Sequence, residues 1–244
     1  MPATIRACLF DLDGVITKTD VLHAAAWKEI FDAYLRQHAA QTGQPYIPFD
    51  LASDYGRHVD GKPRAEGVRS FLASRGITLP EGSDDGDPAT PTVRALAHRK
   101  NEILQRRIGA DGVEAYPGSV RYLHAVAAAG LHRAVVSSSA HTRAVLAAAG
   151  LGGDFEVIMD AQAASRQGLR GKPAPDTYLA AARALGVQPG AAAVFEDALA
   201  GVAAGRAGGF GWVIGVDRIG QASSLRQEGA DIVVKDLAEL LGAQ

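Results

Sequence analysis

Two carboxylates, Asp11 and Asp13, come directly after the apolar run Ala7-Cys8-Leu9-Phe10, and Gly14 comes next. A short apolar run of this kind reads as a buried strand of a parallel sheet, which delivers the next few residues to the C-terminal edge. Open α/β sheets place their ligand sites at that edge. Side chains alternate along a strand, so Asp11 and Asp13 point one way while Leu12 points into the core. Two like charges so close are costly unless a cation or a shared proton relieves them. Gly14 lets the backbone turn sharply and come near a ligand. Asp-x-Asp-Gly alone is a weak signal, because turns are rich in both residues.

Three further strand ends strengthen it. Val135-Val136 runs into Ser137-Ser138-Ser139, hydroxyls and backbone N–H groups that the spacing places at a helix start, suited to an anion. Gly171-Lys172-Pro173-Ala174-Pro175-Asp176 puts a lysine ahead of a proline-started helix. Ala191–Phe195 leads to a second acidic pair, Glu196 and Asp197. Each alone has a plain structural explanation: a helix cap, a surface loop, a solvated acidic pair. Together at one sheet edge they make a site. Its hard oxygen ligands suit Mg²⁺, the ion that accompanies phosphate substrates.

The elements that must position these residues are legible from pattern. Strands are expected at 132–136, 156–158, 191–195, 211–215 and 231–234, with Ala- and Leu-rich helices between them. That rhythm predicts a parallel sheet covered on both faces, and the first strand must join it. Residues 20 to about 108 show no convincing strand. They read as helices at 20–38 (Asp20 as N-cap), 63–74 and 92–107, with surface loops at 41–58 and 80–91. The expected fold is therefore α/β: a Rossmann-like parallel sheet core, residues 1–18 and 110–244, with an inserted all-helical cap domain, residues 19–109. The connectors fall near Thr17–Thr19 and Gly109–Pro117.

Composition narrows the class. The chain has 244 residues, 47% hydrophobic and 21% charged, with net charge −2, which describes an ordinary globule rather than a disordered chain. No basic footprint calls for nucleic acid or an anionic membrane. Cys8 is the single cysteine, so no internal disulfide forms, and its place in an apolar run marks a buried structural thiol. The absence of a long apolar segment before Asp11 predicts a cytoplasmic protein.

The ordered set Asp11-Leu-Asp-Gly-Val, Ser137, Lys172-Pro-Ala-Pro-Asp and Glu196-Asp197 resembles the haloacid dehalogenase superfamily of phosphotransferases. Within it, Asp11-Leu-Asp-Gly-Val-Ile-Thr17, His23, Trp27-Lys28, Arg99-Lys100-Asn101 and Val113–Gly118 are similar to the β-phosphoglucomutase branch. The resemblance implies that Asp11 is a nucleophile carrying an aspartyl-phosphate and that Asp13 is the general acid/base. It implies Mg²⁺ on the Asp11 carboxylate, the Asp13 carbonyl oxygen and Asp197, with Glu196 as ligand or close behind. Ser137 and Lys172, with Ser138, Ser139 and Gly14 nearby, would hold phosphoryl oxygens.

Helical spacing adds an argument of its own. His23 shares a face with Trp27, Ile30, Phe31 and Tyr34, and Lys100 lies on one stripe with Val93, Leu96, Ile103 and Leu104. Arg64 sits one turn before Val68 and two before Phe71. Single buried His or Lys residues are ordinary; three on apolar faces predict a cap surface that meets a charged ligand. On the resemblance, Arg64 after Gly61 grips a distal phosphate, His23 meets the Asp13 region and Lys100 the sugar. Four departures stand out: Lys18 for an acid, Ala198 for a hydroxyl residue, Lys62-Pro63 in the substrate loop, and Ala140-His141 for Lys-Asn. The expected activity is interconversion of β-glucose 1-phosphate and glucose 6-phosphate by a monomer acting on small sugar phosphates. The alternative is a Mg²⁺-dependent sugar-phosphate phosphatase of the same fold.

Overall fold

A computed structural model describes residues 2–83 and 90–242. In chain order its elements are β1 (Ala7–Phe10), α1 (Asp20–Thr42), α2 (Arg64–Ser74), α3 (Val93–Asp111), α4 (Pro117–Ala128) and β2 (His132–Val136). Then come α5 (Thr142–Ala148), β3 (Val157–Met159), α6 (Ala161–Arg166), α7 (Asp176–Ala184) and β4 (Ala192–Glu196). Last are α8 (Leu199–Ala207), β5 (Trp212–Val216), α9 (Ala222–Gln227) and β6 (Ile232–Val234). The chain divides into two compact units: Met1–Thr19, Gly61–Pro63 and Val113–Gln244, and Asp20–Asp60 with Arg64–Gly112.

The first unit is built on one sheet of order β3-β2-β1-β4-β5-β6, every adjacent pair parallel. β1 is central, which is why all four of its residues are apolar and buried. Alternation divides its side chains. Ala7 and Leu9 join a core cluster with Ala134, Val136, Val194 and Val213. Phe10 enters an aromatic nest on the other face, stacked on Phe195 at 4.5 Å and edge-on to Tyr122 and Phe155 at 6.3 Å. The strand registers Phe10↔Phe195 and Phe10↔Val135 align the ends of β1, β4 and β2. Cys8 is wholly buried, and desolvation pushes its thiol pKa up to about 12.

The second unit is helical. Its core is an aromatic stack: Phe31 lies 5.1 Å from Trp27, 4.2 Å from Phe71 and 5.2 Å from Phe49. Phe49 corrects the reading of 41–58 as mere surface. It is fully buried, its N–H donates to Asp32 Oδ1 at 2.8 Å, and Lys28 Nζ donates to its carbonyl at 2.8 Å. Asp54 is buried as well, with Arg75 at 2.7 Å, and Tyr55–Val59 forms a π-helical turn. An aromatic just after two prolines, Pro45 and Pro48, reads as loop in sequence; here its ring packs between Phe31 of α1 and Phe71 of α2. Of the expected 80–91 loop, residues 84–89 lie outside the described residues.

Helix ends also differ. Asp20 is the first residue of α1 rather than its cap; its acid still suits the helix's positive end. α3 runs on to Asp111, with Gly112 at φ 73° closing it. The two connectors pair with each other: Thr17 bridges Ala115, Lys18 N–H donates to the Glu114 carbonyl at 2.8 Å, and Tyr116 N–H to that of Ile16 at 2.9 Å. The Lys18 ammonium meets the Glu114 carboxylate at 2.7 Å, so this departure serves the connector ladder. Gly61–Pro63, expected in the inserted domain, group with the α/β unit.

Candidate active site

Sheet register assembles the site. Asp11 comes after Phe10 in β1 and Glu196 after Phe195 in β4, so the two carboxylates end neighbouring strands on the same face. Asp11 N–H continues the ladder by donating to the Phe195 carbonyl at 2.9 Å. On β1's other side, Val136 ends β2 with its carbonyl open. Lys172 reaches into this corner from the loop before α7, after which comes a cis Lys172–Pro173 peptide. Its Nζ bonds the Asp11 carboxylate, lies 2.6 Å from Glu196 Oε1 and donates to the Val136 carbonyl at 3.0 Å. All three side chains are buried.

The electrostatics are a consequence of that burial. Desolvation holds the Asp11 pKa well above the usual carboxylate range; Lys172 opposes this, while Glu196 and Asp13 add to it. For Lys172, burial alone would lower the ammonium's pKa, but the facing Asp11 and Glu196 carboxylates prevail and raise it. The facing carboxylates thus favour the charged form of Lys172 in a corner closed to solvent. Asp11, Glu196 and Asp197 each offer a carboxylate oxygen, all within 4.8 Å of one another. Such hard, anionic donors fit a small divalent cation.

Gly14 holds the approach between the two acidic loops. Its φ is 84°, and a Cβ there would run into the Asp197 carboxylate, so only glycine fits. Arg218 fixes this turn, its Nε donating to the Gly14 carbonyl at 2.7 Å while its guanidinium lies 3.6 Å from the Tyr116 ring. Gln221 Nε2 donates to the Asp197 carbonyl at 2.9 Å. Asp13 is held from two sides. Thr19 Oγ1 donates to its Oδ1, the Thr17 and Thr19 hydroxyls lie 2.8 Å apart, and Ser137 Oγ stands 3.5 Å from Oδ2.

The serines do not stand at a helix start as expected, for α5 starts only at Thr142 and its N-cap is His141. They organise the loop instead. Ser137 Oγ accepts from Ser139 N–H at 3.0 Å, Ser139 Oγ from His141 N–H at 3.2 Å, and Ser138 Oγ donates to the Gly61 carbonyl at 2.8 Å. That bond brings Gly61 to the strand ends. A Cβ on Gly61 would press on the Ala198 methyl at 2.8 Å, and one on Gly171 would strike the Pro63 ring. Two departures thereby fit each other: Ala198 leaves room for the Gly61 turn, and Pro63 packs over the Gly171-Lys172 loop.

In the helical unit the structure brings His23 and Lys100 to each other. Lys100 is 1% exposed, its Nζ 3.1 Å from His23 Nδ1 and 5.0 Å from the centre of the Trp27 ring. Arg64 opens α2, half-buried.

Sequence reading missed Thr17, Thr19, Tyr178, Arg218 and Gln221. The alternating threonines beside Lys18 carried a signal; Tyr178, Arg218 and Gln221 stand in no motif that would single them out.

Residues 5–209 match the family model described as haloacid dehalogenase-like hydrolase. Among relatives, the chain is 56% identical to "Beta-phosphoglucomutase" of Mycobacterium bovis, over 99% of this chain and 93% of that protein. It is 32% identical to "Beta-phosphoglucomutase" of Bacillus subtilis, over 97% and 92%. Among solved structures, β-phosphoglucomutase from Clostridium difficile superposes with TM-score 0.74 at 26% identity, covering 97% of this chain and 93% of that one.

Proposed function

Because this chain belongs to the haloacid dehalogenase-like hydrolase family, we propose that it is a β-phosphoglucomutase. It interconverts β-D-glucose 1-phosphate and glucose 6-phosphate through an aspartyl-phosphate and β-glucose 1,6-bisphosphate. The observation that carries this reading is the near full-length likeness to a mutase of that name, joined to a strand-end site with every residue the chemistry needs.

Asp11 is the phosphate acceptor. A carboxylate oxygen attacks phosphorus, the bond from phosphorus to the sugar oxygen breaks, and Asp13 gives that oxygen its proton. In the return half, Asp13 takes the proton of the other sugar hydroxyl, which attacks the aspartyl-phosphate and releases Asp11. The Thr19 hydroxyl holds Asp13 for both transfers. Lys172, its ammonium favoured by the facing carboxylates, offsets the charge that grows on the phosphoryl oxygens. Ser137, with backbone N–H groups of its loop, takes other phosphoryl oxygens.

The buried carboxylates at the strand ends fit Mg²⁺, which Asp11 and Asp197 would hold together with the Asp13 carbonyl oxygen. When bound it neutralises phosphate charge and aligns it with Asp11. Arg64, next to the Gly61 turn in sequence, is the grip for the phosphate that is not being transferred. His23, Trp27 and Lys100, which pack together in the helical unit, are the residues we assign to the sugar. The lone buried thiol suits a reducing cytoplasm.

The test is incubation with Mg²⁺, β-glucose 1-phosphate and a trace of β-glucose 1,6-bisphosphate, assaying glucose 6-phosphate and free phosphate together. Glucose 6-phosphate should dominate. Mostly free phosphate would establish a sugar-phosphate phosphatase instead, and neither product would overturn the sugar assignment.

A further inference from the structure

Tyr178 lies on α7 and is wholly buried, yet its hydroxyl is committed to the site. It donates to Glu196 Oε1 at 2.7 Å, the oxygen that stands 2.6 Å from Lys172 Nζ. Both lone pairs of Oε1 are thereby taken. Oε2 accepts from Ala198 N–H at 3.3 Å. Behind the carboxylate, α8 presents Gly201, where a Cβ would collide with Glu196. The Tyr178 ring is held edge-on by Phe210 at 5.9 Å, and its centre lies 5.1 Å from the Lys172 ammonium. Ring and hydroxyl thus both attend the same lysine.

We propose that Tyr178 is a positioning residue, fixing Glu196 as the counter-ion of Lys172 and so holding the ammonium against Asp11. Glu196 is then engaged with the lysine, and the cation is left to Asp11, Asp197 and the Asp13 carbonyl. A glutamate free to rotate would draw Lys172 off Asp11, or turn to the cation itself. One neutral donor on a charged acceptor, both fully buried, is enough to choose between these. The inference rests on the reading of Asp11 as phosphate acceptor.

The test is Tyr178→Phe, which keeps the ring and removes the bond, alone and in a Glu196→Gln background. The single variant should lose about tenfold in kcat, with KM and the half-saturating Mg²⁺ concentration within about twofold of wild type. In the Glu196→Gln background the same change should move kcat less than about twofold, since the bond has lost its charged acceptor. The metal-free melting temperatures should show the same coupling. An equal effect in both backgrounds would make Tyr178 a packing residue only. A shifted Mg²⁺ requirement in Tyr178→Phe would make Glu196 a ligand and overturn the assignment. An active Asp11→Asn variant would sink the phosphate-acceptor reading; an inactive one beside a neutral Tyr178→Phe sinks this inference alone.

Discussion

The α/β unit and the helical unit both bury cations, by different means. In the sheet, Lys172 is met by two carboxylates and a carbonyl whose places are set by backbone register. In the helical unit, Lys100 lies against a histidine nitrogen and an indole face, set by side-chain packing over α1 and α3. The first arrangement is ionic and fixed by hydrogen-bond ladders. The second is soft, built on an aromatic stack that tolerates small shifts. Chemistry needs positions held to fractions of an ångström, whereas recognition of a sugar phosphate needs only a fitting, adjustable face.

The sharpest way to break that contrast is at Asp11. Asp11→Asn keeps the shape of the residue but cannot form an acyl phosphate, so turnover should fall by at least about a thousandfold. Folded variant protein, checked by circular dichroism, with more activity than that would show that the rigid corner is not where bonds are made.

Lys172→Met comes next in size, and it tests the ionic corner as structure as well as chemistry. Losing the positive charge beside the transferring group should cost about 10²- to 10³-fold in kcat. Leaving two buried carboxylates without a counter-charge should also cost about 3–5 kcal/mol at neutral pH. The pH dependence has a definite sign. With Lys172 gone, nothing opposes burial, Glu196 and Asp13 in raising the Asp11 pKa. A carboxyl whose folded pKa is raised contributes stability below its unfolded pKa of about 4, lost as pH climbs through the folded value. The deficit against wild type should therefore shrink as pH falls from 7 towards 4, as read by urea unfolding. A deficit independent of pH would mean that the lysine's packing matters and its charge does not.

How much of this was legible in the sequence depends on the same contrast. Asp11, Glu196 and Asp197 come at strand ends, and strands announce themselves as short apolar runs; Lys172 follows no strand, and its place beside them came with the family resemblance. Asp13's hydroxyl partners were harder, because Thr17 and Thr19 sit in a connector whose pairing with residues 114–116 is non-local. Phe49 was read as loop since Pro45 and Pro48 come just before it, and its burial depends on packing against Phe31 and Phe71. Tyr178 is invisible for the opposite reason. A tyrosine at a core position looks like any aromatic there until its hydroxyl is seen to have a carboxylate to reach.

On the helical side, Arg64→Ala sharpens the comparison with a smaller effect. One charge-assisted contact with a phosphate is worth about 1.5–3 kcal/mol, so mutase turnover should drop about tenfold or more. Hydrolysis of the phospho-enzyme should suffer far less, because water needs no grip. The ratio of free phosphate to glucose 6-phosphate should rise. Wild-type mutase activity in this variant would leave recognition to other residues.

The smallest effect is expected at Cys8, which sits in β1 three residues before Asp11 and contributes nothing to turnover. It reports instead on how firmly the central strand is closed. The thiol is fully buried with its pKa pushed up to about 12, so at pH 8 it is neutral as well as inaccessible. Labelling by a thiol-reactive dye should thus run at least about 10³-fold slower in the native protein than in urea, with Cys8→Ala keeping wild-type activity. Linkage fixes the direction of the pH effect. Above an unfolded thiol pKa of about 8.5 the unfolded chain releases the proton and the folded one keeps it, so stability falls as pH rises towards 12. Cys8→Ala should remove up to about 1.4 kcal/mol per pH unit of that alkaline slope. Fast native labelling would mean that β1 opens readily, and the sheet would then be no firmer a frame than the helices.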